Sequence, residues 1–183
     1  LVAVIDSGID YVSMDFRNKD GSSRISYLWD QSLMPDEERG MLPPEGYGIG
    51  VEFSRGQIDE ALKAEGAEGN FRLVPSMDVT GHGTAVAEIA AGNGNSSGGK
   101  YTGVAPQADL LVVKLGTPKQ ESFPRTTELM RALDYVVKKS VELAQPVAIN
   151  LSFGNTYGPH DGTSLLERFI DNISEIGRNV ICV

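Results

Sequence analysis

The sequence is poor in several features that would place it in a special class of protein. Its single cysteine, Cys182, excludes an internal disulfide. No uninterrupted apolar run approaches the roughly 20 residues of a transmembrane helix, so we expect no membrane span. Lysine and arginine total 16 against 25 acidic residues, and the net charge of -9 repels phosphate backbones, so we expect no nucleic-acid partner.

What is present is the composition of a folded domain. Hydrophobic residues make up 40% of the 183 positions and charged residues 22%, which supplies a core and argues against disorder. Apolar runs begin at Leu1 and end at Val183, and a buried strand at a chain end leaves ladder groups unpaired. We therefore expect the sequence to be an excised fragment of a longer protein.

Short strands alternate with helical patterns along much of the chain. Apolar residues at three- and four-residue spacing predict helices from Glu128 to Ala144, before Pro146, and from Ser164 to Ile176, with Gly177 as the C-cap. Continuous runs rich in valine and isoleucine predict strands buried on both faces, at 2–5, 110–115, 147–153 and 180–183. The pattern predicts an α/β fold, a three-layer sandwich with a mostly parallel sheet.

Residues 16–79 differ from the rest because they are rich in glycine, proline and charge. One helix is predicted there, from Gln57 to Ala64, where Ser54 and Gln57 have the spacing of a capping box. We interpret this stretch as a long elaboration inserted into a single domain of residues 1–183, not as a second domain.

Asp6 closes the first apolar run, just before the Ser7-Gly8 turn. An acid at the carboxyl end of a parallel strand lies where ligands gather in such sheets. The turn offers backbone donors, so the carboxylate stays ionised and can fix the tautomer of an imidazole. Taken alone, Asp6 is better explained as a residue of a strand-ending turn.

His82 lies between two glycines at the start of an apolar helical pattern. The glycines allow a close approach to a neighbouring strand. A helix N-terminus lowers the pKa of an imidazole, which favours the neutral form that a general base needs. A lone histidine is more often structural, and His160, the other histidine, is assigned to a surface loop.

Four motifs in a fixed order are more specific than any single residue. They are Val4-Ile5-Asp6-Ser7-Gly8-Ile9, then Gly81-His82-Gly83-Thr84-Ala85-Val86-Ala87, then Gly103-Val104-Ala105-Pro106 with Val112-Val113-Lys114-Leu115, and finally Asn150-Leu151-Ser152-Phe153-Gly154. With these motifs the sequence resembles the subtilisin-like serine proteases, or subtilases, over nearly all of its length. The resemblance implies a truncated subtilisin-like fold and a catalytic order of Asp, His and Ser.

The resemblance also implies an activity, the hydrolysis of peptide bonds through an acyl-enzyme. Asp6 would orient His82, and His82 would take the proton of a serine hydroxyl that attacks the peptide carbonyl. The implied partner is a peptide or protein substrate.

The substrate cleft is implied by the last motif. By the resemblance, Ser152, Phe153 and Gly154 would hydrogen-bond an extended substrate through their backbone. Residues 120–123 would supply a second substrate strand. Without the resemblance, Ser152 to Gly154 are simply a strand end that turns into a loop.

No convincing nucleophile follows in the sequence. Gly162-Thr163-Ser164 imitates the start of the family's nucleophile motif, but Leu166 stands where that motif has alanine. Ser164 and Glu167 have capping-box spacing, so we assign Ser164 as a helix N-cap. The family's oxyanion asparagine follows a strand that resembles Val180 to Val183. We expect the chain alone to be inactive and to need the missing C-terminal part of its own domain.

The resemblance requires no cofactor. In some family members the position of Asp15 binds calcium, and Asn93, Asn95 and Ser96 offer a nearby loop rich in oxygen donors. We prefer the simpler interpretation, a glycine-rich loop without metal, and keep Asp15 as a calcium candidate.

Two alternatives to the protease stay open at this point. A subtilase-like pseudoprotease would bind or regulate with Asp6 and His82 in place but no serine. A nucleotide-binding domain predicts a Gly-x-Gly-x-x-Gly turn, and Asp10 would lie where a phosphate binds, which disfavours this alternative.

Two further expectations concern the location of the parent protein and the self-association of the fragment. Elaborations like residues 16–79 occur in subtilases of spore-forming anaerobes, which suggests an extracellular, cell-envelope or spore-associated parent. A fragment with an uncovered apolar strand edge also predicts self-association.

Overall fold

A computed structural model describes residues 1–64, 66–116, 126–152 and 159–183. The strands are β1 (Val2–Asp6), β2 (Ile25–Asp30), β3 (Val51–Ser54), β4 (Leu110–Lys114), β5 (Val147–Asn150) and β6 (Asn179–Cys182). The helices are α1 (Arg55–Lys63), α2 (Gly66–Leu73), α3 (His82–Ala91), α4 (Thr126–Glu142) and α5 (Leu165–Ser174).

The six strands form one sheet in the order β3-β2-β4-β1-β5-β6. Among the described strands, β3 alone is antiparallel to its neighbour, β2, and the other pairs are parallel. The predicted α/β fold with a mostly parallel sheet is therefore confirmed. Strand β1 lies between β4 and β5, so Asp6 at its carboxyl end is flanked by two strands that end nearby.

The two faces of the sheet carry separate apolar cores, as alternation along β1 requires. Val2 and Val4 face α1 and α3, where Ile58 and Ala87 are fully buried. Ala3 and Ile5 point to the other face, in the core with α4 and α5. Helices on both faces make the three layers, and the continuous burial of β1 explains its uninterrupted apolar sequence.

Residues 16–79 hold more regular structure than the sequence predicts. Besides α1, whose Ser54–Gln57 capping box is confirmed, this stretch supplies β2, β3 and α2. Strand β2 pairs with β4 near the centre of the sheet, so part of the elaboration belongs to the sheet itself. Strand β2 is not recognised in the sequence because its apolar pattern contains polar residues, among them the fully buried Asp30.

Several predicted boundaries differ from the observed ones by a few residues. Strand β5 ends at Asn150, and the predicted extension to Phe153 runs beyond the described residues. Helix α5 ends at Ser174 with Glu175 as its C-cap, so Gly177 lies beyond the cap. None of the helices within the described part of the chain has the length and apolar character to cross a membrane.

Candidate active site

The carboxyl end of β1 places Asp6 in a buried position at the rim of the sheet. Its Oδ1 accepts a hydrogen bond from the backbone N–H of Ser7 at 2.7 Å, as the turn sequence predicts. The same oxygen lies 2.7 Å from Nδ1 of His82, 76 residues further along the chain. The structure therefore brings together the acid and the imidazole that the sequence motifs single out.

His82 begins α3 and presents its ring to both the protein and the solvent. Nδ1 faces Asp6, and 56% of the side chain is exposed. The hydrogen bond to Asp6, with the charge of that carboxylate, raises the pKa of His82 above its ordinary value. The predicted lowering by the helix N-terminus is therefore wrong in direction, because a carboxylate in direct contact outweighs the partial charge of a helix end.

Two glycines around His82 allow this geometry for different reasons. A Cβ on Gly83 would lie 2.3 Å from the carbonyl oxygen of Gly8 and 3.1 Å from Cβ of Asp6. Only a residue without a side chain permits α3 to approach β1 so closely. Gly81 has a φ of 74° and open space around it, so its role is the left-handed turn that starts the helix.

Asp78 is a site residue that the sequence analysis misses. Its Oδ1 accepts hydrogen bonds from Oγ of Ser7 at 2.8 Å and from the N–H of Gly81 at 3.0 Å. Its Oδ2 accepts from both the N–H and the Oγ1 of Thr84, at 2.8 and 2.7 Å. One carboxylate thus ties the turn after Asp6 to the first turn of the helix that carries His82.

The start of α3 depends on side chains from outside the helix, since its N-cap, Gly81, offers none. The N–H of His82 donates to Oγ1 of Thr80, and that of Gly83 donates to Oγ of Ser7. With Asp78 on the N–H of Thr84, three free donors of the first turn are satisfied. An acid and a threonine just before a glycine and a helical pattern were the signal for this arrangement.

Burial works to raise the pKa of Asp78, but hydrogen bonds from Thr84, Ser7 and Gly81 outweigh it and lower the pKa below its ordinary value. The carboxylate is therefore ionised over the whole neutral range. Its charge also helps to raise the pKa of His82.

The predicted substrate-binding residues are described only in part. Oγ of Ser152 donates to Oδ1 of Asn150 at 2.8 Å, and Ser152 is exposed just after β5. Phe153 and Gly154 lie outside the described residues, as do residues 120–123. Their role in substrate binding stays a prediction.

The two residues assigned to structural roles are confirmed in them. Ser164 is the N-cap of α5, and its capping box with Glu167 is complete. His160 is exposed in the loop before that helix.

The side chain of Asp15 is hydrogen-bonded within the protein. It is buried, and its Oδ1 accepts a hydrogen bond from the N–H of Ser96 at 2.7 Å. The side chains of Asn93 and Asn95 donate to backbone carbonyls nearby. In the described ranges, no group of three His, Cys, Asp or Glu residues is arranged to hold a metal ion. Calcium binding at Asp15 stays a prediction without support from this geometry.

The pair of Asp6 and His82 has the chemistry of an oriented general base. A carboxylate on Nδ1 fixes the tautomer that leaves the lone pair on Nε2, on the ring's other edge. The same carboxylate stabilises the imidazolium that forms once a proton is taken up. What the pair lacks among the described residues is a hydroxyl hydrogen-bonded to Nε2.

A family model described as the subtilase family matches residues 1–182. The chain is 30% identical over 166 residues to "Subtilisin-like protease SBT3" of Solanum lycopersicum, covering 87% of this chain and 20% of that protein. It is 34% identical over 105 residues to "Major intracellular serine protease" of Bacillus subtilis (strain 168), covering 57% of this chain and 29% of that protein.

Among solved structures, the chain is similar to the CspB protease of Clostridium perfringens, with a TM-score of 0.82 and 34% identity. The match covers 98% of this chain and 34% of that one. The chain therefore spans about a fifth to a third of the length of these relatives. Bacillus and Clostridium are spore-forming genera, which supports in part the expected link to subtilases of spore formers.

Proposed function

Because the chain belongs to the subtilase family, we propose that it supplies the acid and the base of a serine endopeptidase. In this proposal Asp6 is the orienting acid and His82 is the general base. The nucleophilic serine and the oxyanion donor come from a part of the parent protein outside these 183 residues. The substrate is a peptide or protein segment.

The observation that carries the proposal is the 2.7 Å contact between Oδ1 of Asp6 and Nδ1 of His82. A histidine held in this way takes the proton of a serine hydroxyl during attack on the peptide carbonyl. It then returns that proton to the leaving amine. Asp6 stays ionised through both steps and offsets the charge of the imidazolium.

The position of the pair supports a cleft along the carboxyl ends of β1 and β5. Ser152 follows β5, which is the parallel neighbour of β1. We infer that an extended substrate runs along residues 152–154 and hydrogen-bonds their backbone, so that its scissile carbonyl lies beside the serine from which His82 takes the proton. No cofactor is needed for this chemistry.

The direct test uses a longer protein that contains these residues and is active. In subtilisin, loss of the triad acid lowers kcat about 3 × 10⁴-fold, and loss of the histidine lowers it about 2 × 10⁶-fold. We expect losses of about these sizes for Asp6→Asn and His82→Ala, measured with a fluorogenic peptide. The matched control is His160→Ala, which removes the exposed histidine and should leave kcat unchanged.

A second test concerns the 183-residue chain alone, which we propose is inactive. Incubation with a fluorophosphonate probe should give no labelled serine. Stoichiometric labelling of any serine would contradict this. A longer protein that contains the intended serine, folds and is still neither labelled nor active would contradict the endopeptidase and favour a pseudoprotease.

A further inference from the structure

A cleft of about 820 Å³ lies next to the candidate site but does not include Asp6 or His82. Its walls come from residues 9–12 after β1, from α2, from residues 76–78 and from residues 84–88 of α3. Its volume falls in the range of about 300–1,000 Å³ that is typical of ligand sites. Because α2 belongs to the 16–79 stretch, the cleft is built partly by the elaboration.

Part of the lining of the cleft is apolar and exposed. The side chains of Phe71 on α2 and Met77 before α3 both line it, and they are 47% and 53% exposed. Ala67 and Ala85 also line the cleft. Large apolar side chains exposed in a concave surface are typical of a binding site.

The charged side chains of the cleft all have one sign. Asp10, Glu68, Asp78 and Glu88 line it, and none of the described lining residues is lysine or arginine. The Asp78 carboxylate is already engaged by Ser7, Gly81 and Thr84, as described above. The charge available to a ligand therefore comes from Asp10, Glu68 and Glu88.

Glu88 is the carboxylate that most needs a partner. It is half-buried on α3, and within the described part of the chain no donor or cation pairs with its side chain. Burial, and then the charges of Asp15 and Asp10, raise its pKa above the ordinary value. A cation placed in the cleft would offset the cost of burying the charged carboxylate and would reduce the repulsion between the like charges.

We propose that this cleft binds a peptide segment in which a lysine or arginine side chain stands beside an apolar one. The cation would pair with Glu88 and Asp10, and the apolar side chain would cover Phe71 and Met77. A second copy of the chain fits poorly, since it brings a net charge of -9 to an acidic wall. The proposal does not depend on hydrolysis, because the cleft excludes Asp6 and His82.

The test is calorimetric titration of the 183-residue chain with a blocked leucine-arginine-leucine tripeptide. We expect saturable binding with a Kd below about 1 mM. Replacing arginine by neutral citrulline should weaken binding about 10-fold or more, as should Glu88→Gln, because each removes a charge-assisted hydrogen bond. Binding should also weaken as salt is added.

Two further variants distinguish binding in the cleft from a general attraction of the cationic peptide to the acidic chain. Ala85→Leu fills the cleft without altering charge and should abolish binding. Glu175→Gln removes one exposed acid at the far end of α5 and should leave binding unchanged. Circular dichroism of each variant confirms that the fold is kept.

Three results would overturn the proposal. The first is equal affinity of the Glu88→Gln and unchanged chains for the tripeptide. The second is equal affinity for the arginine and citrulline peptides. The third is binding of agmatine, an arginine-like amine without a peptide backbone, as tightly as the tripeptide, which would assign the cleft to small amines instead.

Discussion

The two sides of the sheet around β1 are packed very differently. From β1 through β4 and β2, side chains are buried on both faces, and all five residues of β1 are buried. On the other side, Val147 and Ile149 of β5 are buried against α4, while Ala148 between them is exposed.

The strand register shows that the exposed face of β5 and β6 continues the face of β1 that is covered by helices. Val2 pairs with Ala148, which pairs with Val180 of β6, so the three side chains point to the same face. Val2 is buried beneath α3, whereas Val180 is 63% exposed. No element of the described chain covers that face at β5 and β6.

The difference shows which part of the site is held by contacts within the chain. Asp6, Asp78 and His82 lie on the covered side, and each is held by contacts made within the chain. The acid and base are therefore preformed. The β5–β6 side, which leads to the proposed substrate strand, lacks this support. Substitutions should have large effects on the covered side and small ones on the other.

The largest effect on stability is expected for the central strand. Ile5 is fully buried, so Ile5→Ala should lower the free energy of unfolding by about 2–5 kcal/mol. Val180→Ala, on the exposed strand, should change it by less than about 0.5 kcal/mol. Urea denaturation measures both values. Similar losses for the two variants would show that the two sides are packed alike.

The contact of α3 with β1 is the next most sensitive point. Gly83→Ala places a methyl group against the carbonyl of Gly8, so it should cost about 1–3 kcal/mol and separate His82 from Asp6. Gly56→Ala in α1 is the matched control, because its Cβ meets only Oγ of Ser54, at 3.9 Å. That change should stabilise the chain by about 0.4–1 kcal/mol. A Gly83→Ala chain as stable as the unchanged one would contradict the close approach.

Asp78 predicts a dependence of stability on acid pH. Its pKa is lowered on folding, so its contribution is present above the unfolded pKa of about 3.9 and is lost as pH falls through the folded pKa. Asp78→Asn should lower the free energy of unfolding at pH 7 by about 1–3 kcal/mol, since donors now face an amide. It should also flatten the acid limb of the stability curve.

The control for Asp78→Asn is Asp171→Asn, which changes an exposed aspartate on α5. Its curve of stability against pH should follow that of the unchanged chain. If both variants gave the same curve, Asp78 would have no special part in holding α3.

The smallest change in stability is expected at the uncovered edge. We propose that β6 causes self-association, since it is an edge strand with Val180 and Cys182 exposed. Val180→Lys should change the free energy of unfolding by less than about 0.5 kcal/mol but reduce self-association. Sedimentation velocity measures this. A clean monomer at high concentration for the unchanged chain would contradict the proposal.

Much of the fold can be predicted from the sequence because the local sequence patterns agree with the tertiary packing. The apolar runs of β1 and β4 are continuous since helices cover both faces there. Both capping boxes form as their spacing predicts. The acid–base pair follows from motifs at a strand end and a helix start.

The features that could not be predicted from the sequence depend on residues that are distant along the chain. Strand β2 ends in the buried Asp30, which accepts hydrogen bonds from Ser32 nearby and from the distant Ser76, and has Lys114 3.4 Å away. Helix α2 begins at a glycine and is stabilised by packing on α1, not by its own propensity. The role of Asp78 likewise depends on Ser7, which lies 71 residues earlier in the chain.

The central claim is that Asp6 holds His82 through a charged hydrogen bond, and NMR titration of the histidine rings tests it most directly. The chain has two histidines, so the exposed His160 is an internal reference in the same spectra. We predict a pKa of His82 above its ordinary value, which falls on Asp6→Asn. An identical His82 titration in the two proteins would contradict the account.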